Sequence, residues 1–142
     1  SINRERGEWS AAISDYKQAV TISENTDNYR GVTDAGGLLA QAYEHTGDLP
    51  AALGAIDTAI AANTHIADEL YLVPRNLAIK AEITEKMGHA QEADGLYRKS
   101  IALVEALQTL EKVRGRIETE ALERRTDHWA SSNRMRSSLG IC

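Results

Sequence analysis

Small and large apolar residues recur along this chain at fixed distances from three glycines, Gly7, Gly47 and Gly88. Five residues after each glycine stands Ala12, Ala52 or Ala93, and nine after it Tyr16, Ile56 or Tyr97. Twelve after it comes Ala19, Ala59 or Ser100, and thirteen after it Val20, Ile60 or Ile101. Steps of three and four keep such residues on one face of a helix. The small residue lets two helices approach closely, and the large one a turn further on fills the space between them. The glycine reads as a left-handed helix end. Asp48 can cap the helix that follows, and Pro50 is tolerated in a first turn, where N–H groups have no helical partner. Upstream, Ala40 and Ala81 stand seven residues before their glycine, and Tyr43 and Thr84 four before it. These read as the facing surface of a preceding antiparallel helix. Only six residues precede Gly7, so that partner is expected to be missing or cut in the first unit.

The glycines are 40 and 41 residues apart (7 to 47, 47 to 88), and self-similarity at such a period marks a stacked helical solenoid. The pattern predicts helices over about 8–24, 29–46, 49–63, 67–87 and 90–111. A loop, ENTDNY, separates the first two. Pro74 either kinks the fourth helix or makes 67–73 a separate turn, because the residue before proline avoids helical angles. Val113, Ile117, Ala121 and Leu122 keep a helical spacing. They predict a last helix over 116–130 that covers the open end of the stack, with Gly115 at the break. The Ser-rich stretch 132–142 reads as a flexible tail, leaving 1–131 as one domain with units at 1–24, 29–63 and 67–111.

The scheme resembles the tetratricopeptide repeat (TPR), whose small residue, aromatic, glycine, alanine, aromatic and alanine positions are matched by Ala40, Tyr43, Gly47, Ala52, Ile56 and Ala59. The third unit has Ala81, Gly88, Ala93 and Tyr97, with Thr84 where an aromatic is usual. The first unit matches only in its second helix. The family's usual period is about 34; the extra residues here fall at 22–33 and 63–73, as in the longer repeats of bacterial regulators and signalling proteins. The resemblance covers about residues 7–104. It implies an all-α, right-handed superhelix of antiparallel hairpins, with about two and a half units and a capping helix.

Charge narrows the partners. The chain has 142 residues, 42% of them apolar, and a net charge of −5. Residues 112–136 hold seven Lys or Arg against four acids, a local +3, so the remainder carries −8. An acidic body argues against nucleic acid. No apolar run approaches the roughly 18 residues of a membrane span. The single cysteine, Cys142, permits no intrachain disulfide and fits a reducing, cytoplasmic setting.

Catalytic and cofactor signatures are lacking. His45, His65, His89 and His128 have no i, i+4 pairing or ligand motif, although His45 and His65 could meet across a hairpin. Glu82 and Glu85 share a helix face, but Lys86 follows Glu82 at i+4 and favours its charged form. Asp68 with Tyr71 and Glu118 with Ala121 share that i, i+3 spacing and form no carboxylate pair. Gly36-Gly37 lacks a phosphate-loop context and instead marks close approach of a neighbouring helix. No enzyme, cofactor or metal site is expected.

The resemblance implies that the first helix of each unit lines a concave surface where peptides dock. It carries Asp34, Gly37, Gln41, Glu44 and His45 from one unit and Arg75, Ala78, Glu82, Glu85 and Lys86 from the next. Acids outnumber bases, unlike the Lys/Asn-rich clamp of chaperone-binding members, so a basic or amphipathic protein segment is the expected partner. The leading expectation is a non-catalytic scaffold module, a fragment of a larger protein. The alternative is a regulatory or sensor segment of a multidomain bacterial enzyme or transcription regulator, acting by intramolecular docking. Trp9, Ile13 and Tyr16 lack a covering helix, which would also allow a homodimer through the first helix.

Overall fold

The computed structural model describes residues 2–66 and 70–140. Among these residues the chain is all-α, with no strand: α1 (Ile2–Asn25), α2 (Tyr29–Thr46), α3 (Leu49–Asn63), α4 (Leu72–Lys86) and α5 (Ala90–Ser138). Residues 1–105 form one compact unit and 106–142 a second.

The repeat glycines are not equivalent. Gly47 and Gly88 adopt φ of 84° and 90°, a region that side chains resist. They end α2 and α4 with the same bonds. Gly47 N–H donates to Glu44 O and Asp48 N–H to Tyr43 O, at 3.1 and 3.0 Å. Forty-one residues on, Gly88 N–H donates to Glu85 O and His89 N–H to Thr84 O, at 3.0 and 3.1 Å. Gly7 instead lies inside α1, which begins at Ile2 rather than near residue 8. A glycine stops a helix when the next residues turn the chain and start another. Asp48 does this by accepting from Ala51 N–H at 3.2 Å, and Asn28 caps α2 the same way through Gly31 N–H at 3.0 Å.

Two further expectations are corrected. α4 begins at Leu72, so Pro74 sits in its first turn and does not kink it; residues 67–69 of the expected helix or turn, Asp68 among them, lie outside the described residues. α5 runs through Gly115 without a break and on to Ser138, so the separate cap helix expected at 116–130 is part of one helix of 49 residues. One glycine costs a helix about 1 kcal/mol, and nothing beside Gly115 stops or restarts the chain. Cys142 also falls outside the described residues.

Within residues 1–105 consecutive helices pack antiparallel. Thr33 Oγ1 donates to Ala59 O at 2.8 Å near one end of the α2–α3 hairpin, while Ala40 and Ala52 meet in the core toward the other. α3 and α4 are joined by Asp57–Lys80 at 2.8 Å and by Asn63 and Asn76. Ser100 Oγ donates to Pro74 O at 2.7 Å between α5 and α4. The core consists of Ala40, Ala52, Ile56, Ala59, Ile79 and Ile83, with Tyr43, Leu53 and Met87 packed on it. Its alanines are spacers that set the distance between helices. The same holds for Gly36, where an added Cβ would stand 3.0 Å from Ala59 Cβ.

Candidate functional site

α2 and α4 lie side by side and run in the same direction, because two ion pairs link them in register. Asp34 meets Arg75 at 2.9 Å, and Glu44 meets Lys86 at 2.9 Å. Asp34 and Arg75 are 41 residues apart, the same separation as Gly47 and Gly88, so equivalent positions of two units touch with opposite charges.

At the Asp34 end the contact is a network. Arg75 Nη1 donates to Asp34 Oδ1, and Arg75 Nη2 donates to the Thr33 and Asp34 carbonyls at 3.3 and 3.2 Å. Arg75 Nε and Nη2 also donate to Asn76 Oδ1 at 3.2 Å. The amide of Asn76, which is fully buried, donates in turn to Thr33 O and Asn63 Oδ1 at 3.4 and 3.5 Å. Buried polar groups require such partners, and here they tie α2, α3 and α4 together. The network explains Gly37: a Cβ there would run into Arg75 Nη2 and stand 2.7 Å from Asn76 Oδ1. The glycine pair read as close approach is therefore close approach at both positions.

At the other end, the Glu44 carboxylate is only 6% exposed while Lys86 is 48% exposed. The lysine covers the acid and keeps its own ammonium half in water. Its hydrogen bond to Glu44 holds the Lys86 ammonium above the ordinary lysine range, against the opposing effect of burial. Glu82 adds a longer contact to Lys86 at 3.8 Å. Tyr97 on α5 donates its hydroxyl to Glu85 Oε2 at 3.3 Å; burial first, and then the Glu85 charge, push the phenol up.

The expected site residues are thus sorted into three places. Asp34, Glu44, Arg75, Glu82 and Lys86 meet along the α2–α4 seam, and Gln41 is exposed between the two ends of it. His45 turns toward α1, where its ring stacks on Trp9 with centroids 4.4 Å apart. Glu85 turns toward Tyr97. The Trp9–His45 stack borders a pocket of about 550 Å³ lined also by Glu5, Arg6, Ser10 and Thr46. His65 stacks on Tyr29 at 4.3 Å, so each of these histidines has an aromatic partner. Among the described residues no cluster of three His, Cys, Asp or Glu could hold a metal, and no helix is long and apolar enough to cross a membrane. Sequence reasoning did not assign Thr33, Asn63 and Asn76 to this site; their signal was polar residues at core-facing positions. Trp9, Ile13 and Tyr16 are half-buried, and the largest apolar exposure lies on α5.

Comparison of the chain with protein-family profiles, with curated proteins and with solved structures finds no match.

Proposed function

We propose that the chain is a non-catalytic protein-interaction module built as a TPR-like right-handed superhelix, and that its α2–α4 face docks a protein segment. One observation carries the reading: first helices of successive units run parallel at the repeat offset, with Asp34 against Arg75 at 2.9 Å. That arrangement makes a continuous surface from equivalent positions, as stacked hairpins do. The surface stays acidic after internal pairing. Arg75 is drawn onto Asp34 and Lys86 onto buried Glu44, while Glu82 and Glu85 remain exposed. A basic or amphipathic segment complements it.

The test is affinity capture with the chain and with Glu82→Lys/Glu85→Lys, followed by titration of the captured segment as a peptide. Both substituted positions are exposed, so the fold, checked by circular dichroism, stays intact. Loss of one defined partner in the variant, with salt-sensitive binding by the parent, supports the reading. Equal capture by both rejects this face as the docking surface.

A second reading is favoured by α5, whose 49 residues far exceed the 15 of α3 or α4. An uninterrupted helix of that length suits a stiff connection to an attached domain, with this chain as its regulatory segment. The same charge reversal would then change the output of that domain without loss of a separate partner.

A further inference from the structure

Between the end of α1, the start of α2 and the end of α3 lies a pocket of about 250 Å³ whose two sides differ. α2 and α3 give an apolar side of Val32, Ala61 and Ala62, with the stacked rings of Tyr29 and His65. α1 and the turn after it give Ser23, Glu24 and Asp27. No Lys or Arg lines this pocket; Arg30 lines a separate cavity with Asn28 and Asp34. Glu24 and Asp27 have no ion-pair partner among the described residues. Ser23 is only 8% exposed, yet its hydroxyl has no hydrogen-bond partner among the described residues. The hydroxyl is not sealed in the interior, so it opens onto the pocket that Ser23 lines. A polar group at such depth without an internal partner calls for one from outside. The fold does not account for the acids either. Glu24 stands in the last turn of α1 and Asp27 just beyond it, where the helix dipole favours cations. Neither α1 nor α3 has a basic residue in its last turn.

We propose that this pocket binds a primary alkylammonium group. An ammonium has three donors and no acceptor, and Ser23 Oγ and the carboxylates of Glu24 and Asp27 all accept. The C-terminal ends of α1 and α3 add partial negative charge, and aromatic faces attract cations. The short alkyl chain behind the ammonium lies on Val32, Ala61 and Ala62. The volume is below the roughly 300–1,000 Å³ of drug-sized sites, which suits one group of lysine size. An anion would meet two carboxylates. A neutral alcohol would fill the apolar side and leave the acids without a counter-charge. The same group arrives either as a free amine or as the lysine side chain of a protein. No α4 residue lines the pocket, so this site does not depend on the proposed docking face.

The experiment titrates the whole isotope-labelled chain with n-butylammonium, n-butanol and butyrate in low-salt buffer, followed by amide NMR signals. Butylammonium is expected to shift the signals of residues 23–32 and 58–65 in a saturable way. It should bind at least about fivefold more tightly than butanol, since only the cation makes charge-assisted hydrogen bonds, and butyrate should not bind. Glu24→Gln/Asp27→Asn should weaken binding about tenfold, and Ser23→Ala about threefold. Asparagine tolerates the left-handed φ of 53° at position 27 as aspartate does. The two acids oppose the α1 dipole, so the double variant should unfold at the same or a higher urea concentration than the parent. The capped peptide acetyl-Gly-Lys-Gly-amide separates the two sources. Tighter binding than butylammonium assigns the site to a protein lysine, and weaker binding assigns it to a free amine. Absence of local shifts with butylammonium, equal affinity for butanol, or saturable binding of butyrate overturns the proposal. So does undiminished binding by either variant, or a double variant that loses stability together with binding.

Discussion

The Ser100 hydroxyl donates to the Pro74 carbonyl at 2.7 Å, and the same place one repeat earlier holds the reverse bond, from the Thr33 hydroxyl to the Ala59 carbonyl at 2.8 Å. Pro74 and Ser100 follow Thr33 and Ala59 by 41 residues each. The units keep an interhelix bond at one position and exchange which helix supplies the donor. Thr33→Val and Ser100→Ala remove the donor without opening much space. Each is expected to destabilise the compact unit by about 1 kcal/mol, the usual net worth of such a bond. Urea unfolding followed by circular dichroism measures it, and unchanged midpoints would assign both contacts no weight.

The glycines offer a sharper contrast. A Cβ at Gly54 or Gly95 meets nothing within 4 Å, whereas at Gly36 it would crowd Ala59 and at Gly37 it would strike Arg75 and Asn76. All four lie in helices, where alanine is favoured over glycine by about 1 kcal/mol. Gly54→Ala and Gly95→Ala should therefore stabilise by roughly 0.5–1 kcal/mol. Gly36→Ala should destabilise, because its neighbours include the Ala55 carbonyl at 3.4 Å and the Ala59 backbone, which cannot swing aside. Gly37→Ala should destabilise too, by displacing the arginine from Asp34 and disturbing a fully buried amide. Four unfolding curves decide it; equal effects at all four sites would mean that propensity alone acts.

Much of this was legible in the sequence, for reasons that particular residues make plain. α2 and α3 fall at 29–46 and 49–63 as expected, because Asn28, Gly47 and Asp48 are local signals whose action needs no distant partner. The 41-residue offset places Asp34 and Arg75 at equivalent positions of the two units. Gly115 and the serines near the end of α5 resemble stop signals, yet the helix runs through them to Ser138. A helix ends only where something competes for its backbone, and flanking Arg, Glu and Leu residues do not. The site was harder. Spacing shows which positions face the seam, but it does not show that Lys86 covers a buried Glu44 or that His45 prefers Trp9. Those choices depend on how far each side chain reaches across a gap set by Gly37 and the core alanines.

Glu44 is the acid whose loss should be felt. Removing its lysine in Lys86→Met leaves a carboxylate that is 6% exposed without its closest counter-charge. Because half of Lys86 remains in water, screening reduces the effect from that of a fully buried pair to about 1 kcal/mol. Glu44→Gln should cost less, since the amide needs no counter-charge, and the double variant should cost less than the two singles combined. A double-mutant cycle in urea provides the coupling. Strict additivity would show that the 2.9 Å contact contributes nothing.

Alkaline pH tests the same corner from the side of protonation. Lys86 and Tyr97 both hold their protons more tightly in the folded chain, the first through its bond to Glu44, the second through burial and the Glu85 charge. A raised folded pKa gives stability that is complete below the unfolded value and is lost as pH rises through the folded one. Both ordinary values lie near 10, so stability should be flat with respect to these groups near neutrality and fall as pH climbs past about 10. Tyr97→Phe removes one titration, and Glu44→Gln removes the main cause of the other. Urea midpoints at pH 8 and pH 11 should therefore separate less in each variant than in the parent. An equal alkaline loss in parent and variants would place its origin in other groups.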